Sequence, residues 1–399
     1  MTYVPDERSA SVVSFAEVAG DLPISPRIQR TRHLTNALER EFDFRVERVP
    51  AQPLKGRPGA ILRRRVSRKA LRPLVMDSFE IPARLSLRGW KPAASGALLI
   101  AWPYSPIYVA ASHLVAAGIP YVVDVGDPWW LTESRPSPWW RHVSVHRAKA
   151  AERFIWSHAA GGVVTTESQA DRLEALFPDL SLLVRPNGYT TAPEPVTDIG
   201  ARTAAPGELR LVQFGSVSDI KLPIGEWLST LRKVAGLTRV RFVNYGPVAR
   251  PDLVESRDPG VTVDLRDPVD WGRACQIARS FDAAVVVANR NPATLPSKAV
   301  QYLTLPIPRI ALTANSNRGE LAAFAAEQPG FLAARLDSPD DIPQLIAQLH
   351  RPWSEDELDP PADDSWAEVA LQVVRFAVQS WDRALEPRPH GRAEQVAGT

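Results

Sequence analysis

The sequence predicts an α/β protein of two domains, each built around a mostly parallel sheet. Its 399 residues are more than a single hydrophobic core usually serves. Short apolar segments alternate along the chain with segments of helical periodicity, which is typical of strand–helix–strand units. A stretch at 190–208 is rich in Pro, Thr and Ala and poor in large apolar side chains. This composition indicates a linker between two α/β series.

The first series occupies residues 1–189, which we assign to an N-terminal domain. Continuous apolar runs suggest buried strands, and apolar positions three or four residues apart suggest helices. The predicted strands lie at 11–18, 97–102, 119–125, 161–166 and 180–188, and the predicted helices at 26–42, 107–117, 147–157 and 167–177.

The second series occupies residues 209–364 and forms the C-terminal domain. Its predicted strands lie at 209–215, 239–246, 261–265, 281–288 and 307–313, with helices at 222–235 and from about residue 296. Residues 365–385 form a strong helix that we expect to pack back toward the N-terminal domain, and we expect a disordered tail at 386–399. In two such domains the largest concave site lies between them, at the carboxyl ends of the strands.

The composition excludes several classes of protein. A single cysteine, Cys275, rules out an internal disulfide framework. The N-terminus lacks a signal-peptide pattern, and prolines interrupt the most apolar stretch at 96–125. We therefore expect a cytoplasmic protein. We predict no metal site, because His142 and His146 stand without an HExxH pattern or a third ligand.

Positive charge is concentrated in residues 51–100, which carry 11 basic and 2 acidic side chains. Within 61–75, apolar side chains recur every four residues from Leu62 to Leu74, as in a basic helix with a narrow apolar stripe. One interpretation is a solvated surface helix. The other is contact with anionic lipid headgroups or a phosphorylated acceptor. No nucleic-acid motif accompanies the patch, so we expect no nucleic-acid partner.

Residues 289–313 contain the most informative segment, where a strand and a loop lead into a helix that opens with Pro296, Ser297 and Lys298. Proline suits a first helical turn, and a helix start beside a lysine suits a phosphate. Gln301 follows one turn later on the same side. The alternative is that Ser297 simply caps the helix.

A second segment, 213–223, runs from a strand into Gly215 and Ser216 and reaches Lys221 six residues after the glycine. Such a turn can bring backbone amides and one lysine to a pyrophosphate. The spacing does not match a P-loop, and no G-x-G-x-x-G follows a first strand. These absences disfavour ATPases and dinucleotide-dependent oxidoreductases.

A third segment places Asp124 and Asp127 at the carboxyl end of a buried strand. One of the two carboxylates can orient an acceptor hydroxyl or act as its general base, and the alternative for Asp124 is a loop cap. Trp129 is the first of four indoles within twelve residues. These indoles either pack beneath a loop or form a stacking platform for a ring-shaped ligand.

Together these segments resemble the family-4 type of retaining glycosyltransferases, which have the GT-B fold of two Rossmann-like domains facing each other across a cleft. The resemblance covers most of residues 10–385. It rests on the order and spacing of IPYVVDVGDPWW, GGVVTTESQADRLEALFP, VRPNGY, LVQFGSV and LPSKAVQYL.

The resemblance implies a nucleotide-sugar donor held mainly by the C-terminal domain, with no bound metal and no cofactor beyond that co-substrate. Lys221, Lys298 and the helix start at 296–297 would bind its diphosphate beside the turn at 215–216. Gln301 would lie on the donor ribose.

On the acceptor side, the resemblance implies that Asp127 acts near the acceptor hydroxyl. Arg27, Arg30, Asp124 and Trp129 would help to bind the acceptor. The product would be a cell-surface glycan or a glycosylated metabolite. The basic stripe at 61–75 favours a lipid-linked acceptor and a peripheral position at the inner face of the membrane.

The sequence departs from the family at several positions. Ala293 and Gln301 stand where the family has two glutamates with seven residues between them, Gly126 replaces an arginine, and Ser216 replaces a basic residue. A neutral amide at 301 can still hydrogen-bond a hydroxyl. The departures nevertheless leave an alternative: a catalytically silent relative that binds a glycan or a partner glycosyltransferase.

Overall fold

The computed structural model describes residues 9–14, 26–50, 83–84, 87–101, 104–127, 145–190, 207–217, 224–248, 250–289, 291–313 and 319–386. Its strands form two six-stranded sheets in which all neighbouring strands run parallel. The predicted α/β class and parallel sheets are confirmed. The segment 61–75, most of the predicted linker and the tail after Glu386 lie outside the described residues.

The N-terminal sheet has the strand order β2-β1-β3-β4-β5-β6. Its strands are β1 (Ser9–Ser14), β2 (Arg45–Pro50), β3 (Gly96–Ala101), β4 (Tyr121–Val125), β5 (Gly161–Val164) and β6 (Leu182–Val184). Its helices are α1 (Pro26–Glu41), α2 (Tyr104–Ala117), α3 (Val145–His158) and α4 (Glu167–Leu176).

Both faces of this sheet are covered, which explains its continuous apolar strands. Because side chains alternate along a strand, Leu98 and Val122 pack with α1 and with the C-terminal helix. Leu99 and Val123 pack on the opposite face with α2, α3 and α4. The carboxyl ends of the central strands are thereby held rigidly at one edge of the sheet.

The C-terminal sheet has the order β9-β8-β7-β10-β11-β12. Its strands are β7 (Glu208–Phe214), β8 (Arg239–Tyr245), β9 (Val261–Arg266), β10 (Ala283–Val287), β11 (Arg309–Thr313) and β12 (Phe331–Arg335). The order reverses between β7 and β10, so the loops after these two strands diverge and leave a crevice at their carboxyl ends.

Helices cover both faces of this second sheet. They are α5 (Ile224–Val234), α6 (Trp271–Ala278), α7 (Ser297–Tyr302), α8 (Glu320–Glu327), α9 (Ile342–His350) and α10 (Glu355–Leu358). Leu211 packs on the face of α5 and α9, whereas Val212 packs on the face of α6, α7 and α8.

The last helix, α11 (Trp366–Leu385), lies on the N-terminal sheet. Ser365 caps it by accepting from the Glu368 N–H, and its apolar face contacts α1 and β3. The indole of Trp381 donates to the Ala97 carbonyl at 3.2 Å. Its ring lies against Gly96, where a Cβ would collide with it.

The two passages of chain between the domains run side by side. The Tyr189 N–H donates to Asp364 O at 2.9 Å, and the Trp366 N–H donates to Tyr189 O at 3.1 Å. A Cβ on Gly188 would lie 2.6 Å from the Trp366 Cα, so glycine permits this close approach. Tyr189 and Ser365 therefore form a bridge that joins the outgoing and returning crossovers.

Candidate functional site

The turn after β7 and the start of α7 meet where the strand order reverses. Gly215 has φ +99°, a conformation that glycine adopts without strain, and a Cβ there would lie 3.0 Å from Lys298 Cε. The Lys298 ammonium donates to the Ser216 carbonyl. Three residues predicted from separate segments thus lie together at the carboxyl ends of β7 and β10.

The amine of Lys298 is partly removed from water, and this desolvation lowers its pKa to about 8. An anion placed beside it would favour the charged form and reverse part of that shift. The site is therefore suited to a phosphate.

The residue at the N-cap of α7 decides whether Ser297 caps this helix. Pro296 occupies the N-cap position, and no side chain makes a capping hydrogen bond there. Ser297 is the first residue of the helix. The capping interpretation of Ser297 is therefore wrong.

Two fully buried side chains anchor α7, and sequence reasoning missed both. The hydroxyl of Tyr302 accepts from the Phe214 N–H at 2.5 Å and donates to the Phe214 carbonyl at 3.1 Å. The guanidinium of Arg309 donates to the carbonyls of Tyr302, Leu303 and Leu305 at 3.0, 2.6 and 2.5 Å. For Arg309 the available signal was a charged residue beside the apolar run of β11. These bonds fix Lys298 relative to the turn after β7.

Burial of Arg309 lowers its pKa to about 10, with a smaller opposing effect from Asp359. The guanidinium therefore remains charged at neutral pH. A cation at the C-terminal end of α7 also satisfies carbonyls that have no partner within the helix.

An aromatic surface adjoins the turn. The rings of Phe214 and Tyr245 stack with centroids 5.6 Å apart, and the guanidinium of Arg266 lies 5.8 Å from the Tyr245 ring centre. Tyr245 is half-buried and Arg266 is exposed. A planar ligand could stack here.

Gln301, predicted as a ribose ligand, pairs with the crossover between the domains. Its Oε1 accepts from the Thr190 N–H at 3.1 Å, and its Nε2 donates to the Thr190 carbonyl at 3.1 Å. One side-chain amide therefore satisfies both backbone groups of a residue 111 positions earlier.

Ala293, one of the positions at which the sequence departs from the pattern it resembles, lies against the N-terminal domain. The Thr166 hydroxyl donates to the Ala293 carbonyl at 3.0 Å, and Ala293 is only 4% exposed. Glu320 Oε1 accepts from both the N–H, at 3.1 Å, and the hydroxyl of Ser168. The first turn of α4, which follows β5, thus meets the loop after β10, so the carboxyl edges of the two sheets face each other.

Arg30 and Asp124, predicted as acceptor ligands, lie in a buried ion pair. Arg30 Nε is 2.6 Å from Asp124 Oδ2, with side chains 4% and 1% exposed. The same guanidinium donates to the carbonyls of Pro186, at 3.0 Å, and Arg185, at 3.3 Å. The structure brings these two residues to each other, and their role toward an acceptor stays a prediction.

Asp127 follows the carboxyl end of β4 and is half-buried. Arg27 lies in the first turn of α1, but its side chain lies outside the part of the chain that the structure describes. Lys221 and Trp129 also lie outside the described residues. The roles predicted for these four residues stay predictions.

Within the described ranges, no group of His, Cys, Asp or Glu side chains is arranged to hold a metal ion. None of the described helices combines the length and apolar character needed to cross a membrane.

No protein-family model matches the sequence, and no curated protein matches it either. Solved structures do resemble it. The S. aureus MnaA–UDP co-structure aligns over 96% of this chain and 99% of its own, with a TM-score of 0.51 and 10% identity. A sucrose-phosphate synthase from Thermosynechococcus elongatus aligns over 95% and 96%, with a TM-score of 0.51 and 13% identity. At such identities the likeness concerns architecture, and with the two facing parallel sheets it shows that the chain has the GT-B fold.

Proposed function

We propose that the protein is a retaining, metal-independent glycosyltransferase that moves a hexosyl group from a nucleoside diphosphate to a hydroxyl acceptor. The observation that carries this proposal is the juxtaposition of Lys298 with the turn at Gly215 and Ser216, at the strand-order reversal of a GT-B domain. The resemblance of the sequence segments to family-4 enzymes supports the same activity. The UDP in the MnaA structure is consistent with a nucleotide in this fold.

The donor site would act on the leaving group. When the bond between the sugar and the diphosphate breaks, negative charge develops on a phosphate oxygen. The Lys298 ammonium and the amides of the turn can stabilise that charge without rearrangement. Lys221 would supply a second cation, and the Phe214–Tyr245 stack with Arg266 would hold the base.

The acceptor would enter from the N-terminal domain. Its hydroxyl oxygen forms the new bond to the sugar and loses its proton, and Asp127 is the carboxylate we assign beside that hydroxyl. Arg27, Arg30, Asp124 and Trp129 would bind the rest of the acceptor. The basic stripe at 61–75 favours a lipid-linked acceptor at the inner face of the membrane, in synthesis of a cell-surface glycan or a glycosylated metabolite.

A second candidate is a catalytically silent GT-B protein that binds a glycan or a partner glycosyltransferase. Two contacts favour it. Ala293 lies beneath Thr166, and Gln301 is already paired with Thr190. Both positions lack the carboxylates of the family pattern.

Calorimetric titration with UDP and GDP tests the donor site. Hydrolysis of a panel of UDP- and GDP-sugars then tests turnover. We expect one nucleotide to bind, and we expect Lys298→Ala to weaken binding at least tenfold. Lys233→Ala, which removes an exposed lysine from α5, is the matched control. Nucleotide binding without hydrolysis of any of these sugars would favour the catalytically silent relative. Failure of both UDP and GDP to bind would refute the enzymatic proposal.

A further inference from the structure

We propose that Gln301 ties the nucleotide site to the crossover between the domains, and that its amide is required for this link. The inference rests on the proposed function, because it assigns a second role to a side chain of the same site. In this scheme the amide of Gln301 contacts two partners. Thr190 orients the amide, and a nucleotide bound to its remaining donor and lone pair stabilises the crossover through it.

Gln301 belongs to the helix that carries Lys298. It lies three residues after Lys298 on α7, so the two side chains share one side of the helix. Lys298 contacts the turn after β7, and Gln301 contacts Thr190. A nucleotide that reaches Lys298 therefore passes the side of α7 from which Gln301 extends.

The amide of Gln301 has hydrogen-bonding capacity beyond its two contacts with Thr190. A primary amide has two N–H donors and two acceptor lone pairs, and Thr190 uses one of each. One donor and one lone pair remain for a ribose hydroxyl. The pairing with Thr190 holds the side chain in one orientation, which reduces the entropy lost when a ligand binds.

An amide suits position 301 better than a carboxylate does. A carboxylate at this position could accept from the Thr190 N–H, but it would face the Thr190 carbonyl without a proton to donate. Two acceptors in contact repel each other. Gln301, unlike the glutamate of the family pattern, satisfies both groups of Thr190.

Thr190 lies where the chain crosses between the domains. Its neighbour Tyr189 bridges Ser365, where the chain returns to the N-terminal domain. On the other side, Arg30 holds the carbonyls of residues 185 and 186. The crossover is therefore fixed by the N-terminal domain through Arg30 and by the C-terminal domain through Gln301.

Hydrogen exchange of the Thr190 amide, measured with and without UDP or GDP, tests the link directly. Without nucleotide, we expect exchange to be about tenfold faster in Gln301→Ala than in the wild type and intermediate in Gln301→Glu. With the nucleotide that binds, we expect exchange to slow at least threefold in the wild type and to stay unchanged in Gln301→Ala.

Two variants of Thr190 test whether the crossover in turn affects nucleotide binding, without altering Gln301. Thr190→Pro removes the N–H that orients the amide, and we expect roughly two- to tenfold weaker nucleotide binding, the effect of one hydrogen bond. Thr190→Ala keeps both backbone groups and should bind within twofold of the wild type. If Thr190→Pro does not fold, hydrogen exchange of the Thr190 amide in Gln301→Ala and Gln301→Glu decides whether the link exists.

The outcomes separate the inference from the proposed function. A nucleotide that binds the wild type but leaves Thr190 exchange unchanged would overturn the inference and leave the glycosyltransferase proposal intact. Equal exchange of the Thr190 amide in the nucleotide-free wild type and Gln301→Ala would also overturn the inference and leave the glycosyltransferase proposal intact. If calorimetry shows that neither nucleotide binds, the proposed function fails and the inference falls with it.

Discussion

The guanidinium Nε of Arg30 lies 2.6 Å from Asp124 Oδ2, and both side chains are almost completely buried. This pair joins α1 to the carboxyl end of β4, and the remaining guanidinium nitrogens hold the loop that leads to the crossover. Two charges in this environment are stable only as a pair, because either one alone would be buried without compensation.

Removing one partner should therefore be costly. We expect Arg30→Met to lower the free energy of unfolding by about 3–5 kcal/mol, the usual effect of leaving one charge of a buried pair. Urea denaturation measures this change. Arg250→Met breaks an exposed pair with Asp252 and should change stability little. An Arg30→Met protein as stable as the Arg250→Met control would show that the pair adds nothing to stability.

Arg309 is fully buried and donates to several main-chain carbonyls. In Arg309→Leu these carbonyls lose their partner, at about 1–3 kcal/mol for each buried group left unpaired. We expect a large loss of thermal stability and a partial recovery in Arg309→Lys, which keeps the charge but presents fewer donors. Equal stability of Arg309→Leu and the wild type would contradict the role assigned to this residue.

Lys298 should give stability a distinctive pH dependence, because its folded pKa is lowered to about 8 from 10.5. Between these values the folded protein has released a proton that the unfolded chain still binds. Stability relative to Lys298→Met should therefore rise as the pH increases from about 8 to 10.5, and stay constant at lower pH. Urea titrations of both proteins at several pH values in this range measure the difference in stability. A stability difference that does not change with pH would contradict the lowered pKa of Lys298.

The same pKa predicts how anion binding depends on pH. The ammonium form is complete well below pH 8 and is lost above it, so nucleotide affinity should fall as the pH rises through about 8. Calorimetry at pH 7 and pH 9.5 checks the direction. Lys298→Ala should lack this dependence.

The contact of Glu320 with the first turn of α4 joins the two domains. Glu320→Gln keeps an acceptor oxygen but removes the charge, and charge-assisted hydrogen bonds are about twice as strong as neutral ones. We expect exchange of the Ser168 amide to accelerate severalfold. Glu327→Gln makes the same change on an exposed part of α8 and should have no effect. Equal acceleration in both variants would indicate a general charge effect rather than this contact.

Introducing a glutamate at Ala293 should separate the domains locally. The alanine is 4% exposed and its carbonyl accepts from Thr166, so a buried carboxylate would be costly there. We expect Ala293→Glu to increase the radius of gyration in small-angle X-ray scattering, and Ala293→Ser to leave it unchanged. An unaltered radius of gyration in Ala293→Glu would show that the contact between Ala293 and Thr166 does not hold the domains together.

Most strands were predictable because their signal is local. β3, β4, β7, β8, β10 and β11 are rich in β-branched and other apolar residues, and their predicted ranges agree with the structure to within about two residues. β2 was missed because its sequence, RVERVP, alternates charges along an edge strand and lacks an apolar run. The short α6, α8 and α9 and the alanine-containing β12 were also not assigned, since their apolar patterns are brief.

Part of the candidate site was predictable for a similar reason. Gly215 and Ser216 follow directly from the end of β7, and Lys298 opens the helix that comes after the loop following β10. Parallel strands present their carboxyl ends at one edge of the sheet. The pairing of Arg30 with Asp124 was not predictable, because these residues are 94 positions apart. Neither was the pairing of Gln301 with Thr190, which joins the C-terminal domain to the crossover 111 positions earlier.

The amino-acid sequence by itself determined a two-domain α/β protein, because apolar periodicity is a property of neighbouring residues. Only the tertiary structure decided what each polar residue at the strand ends touches. It paired Arg30 with Asp124, covered Ala293 with Thr166 and placed Lys298 against Ser216. The physical reason is that a polar side chain takes the best partner the packed fold brings within hydrogen-bond distance, and here that partner lies in a distant segment of the chain.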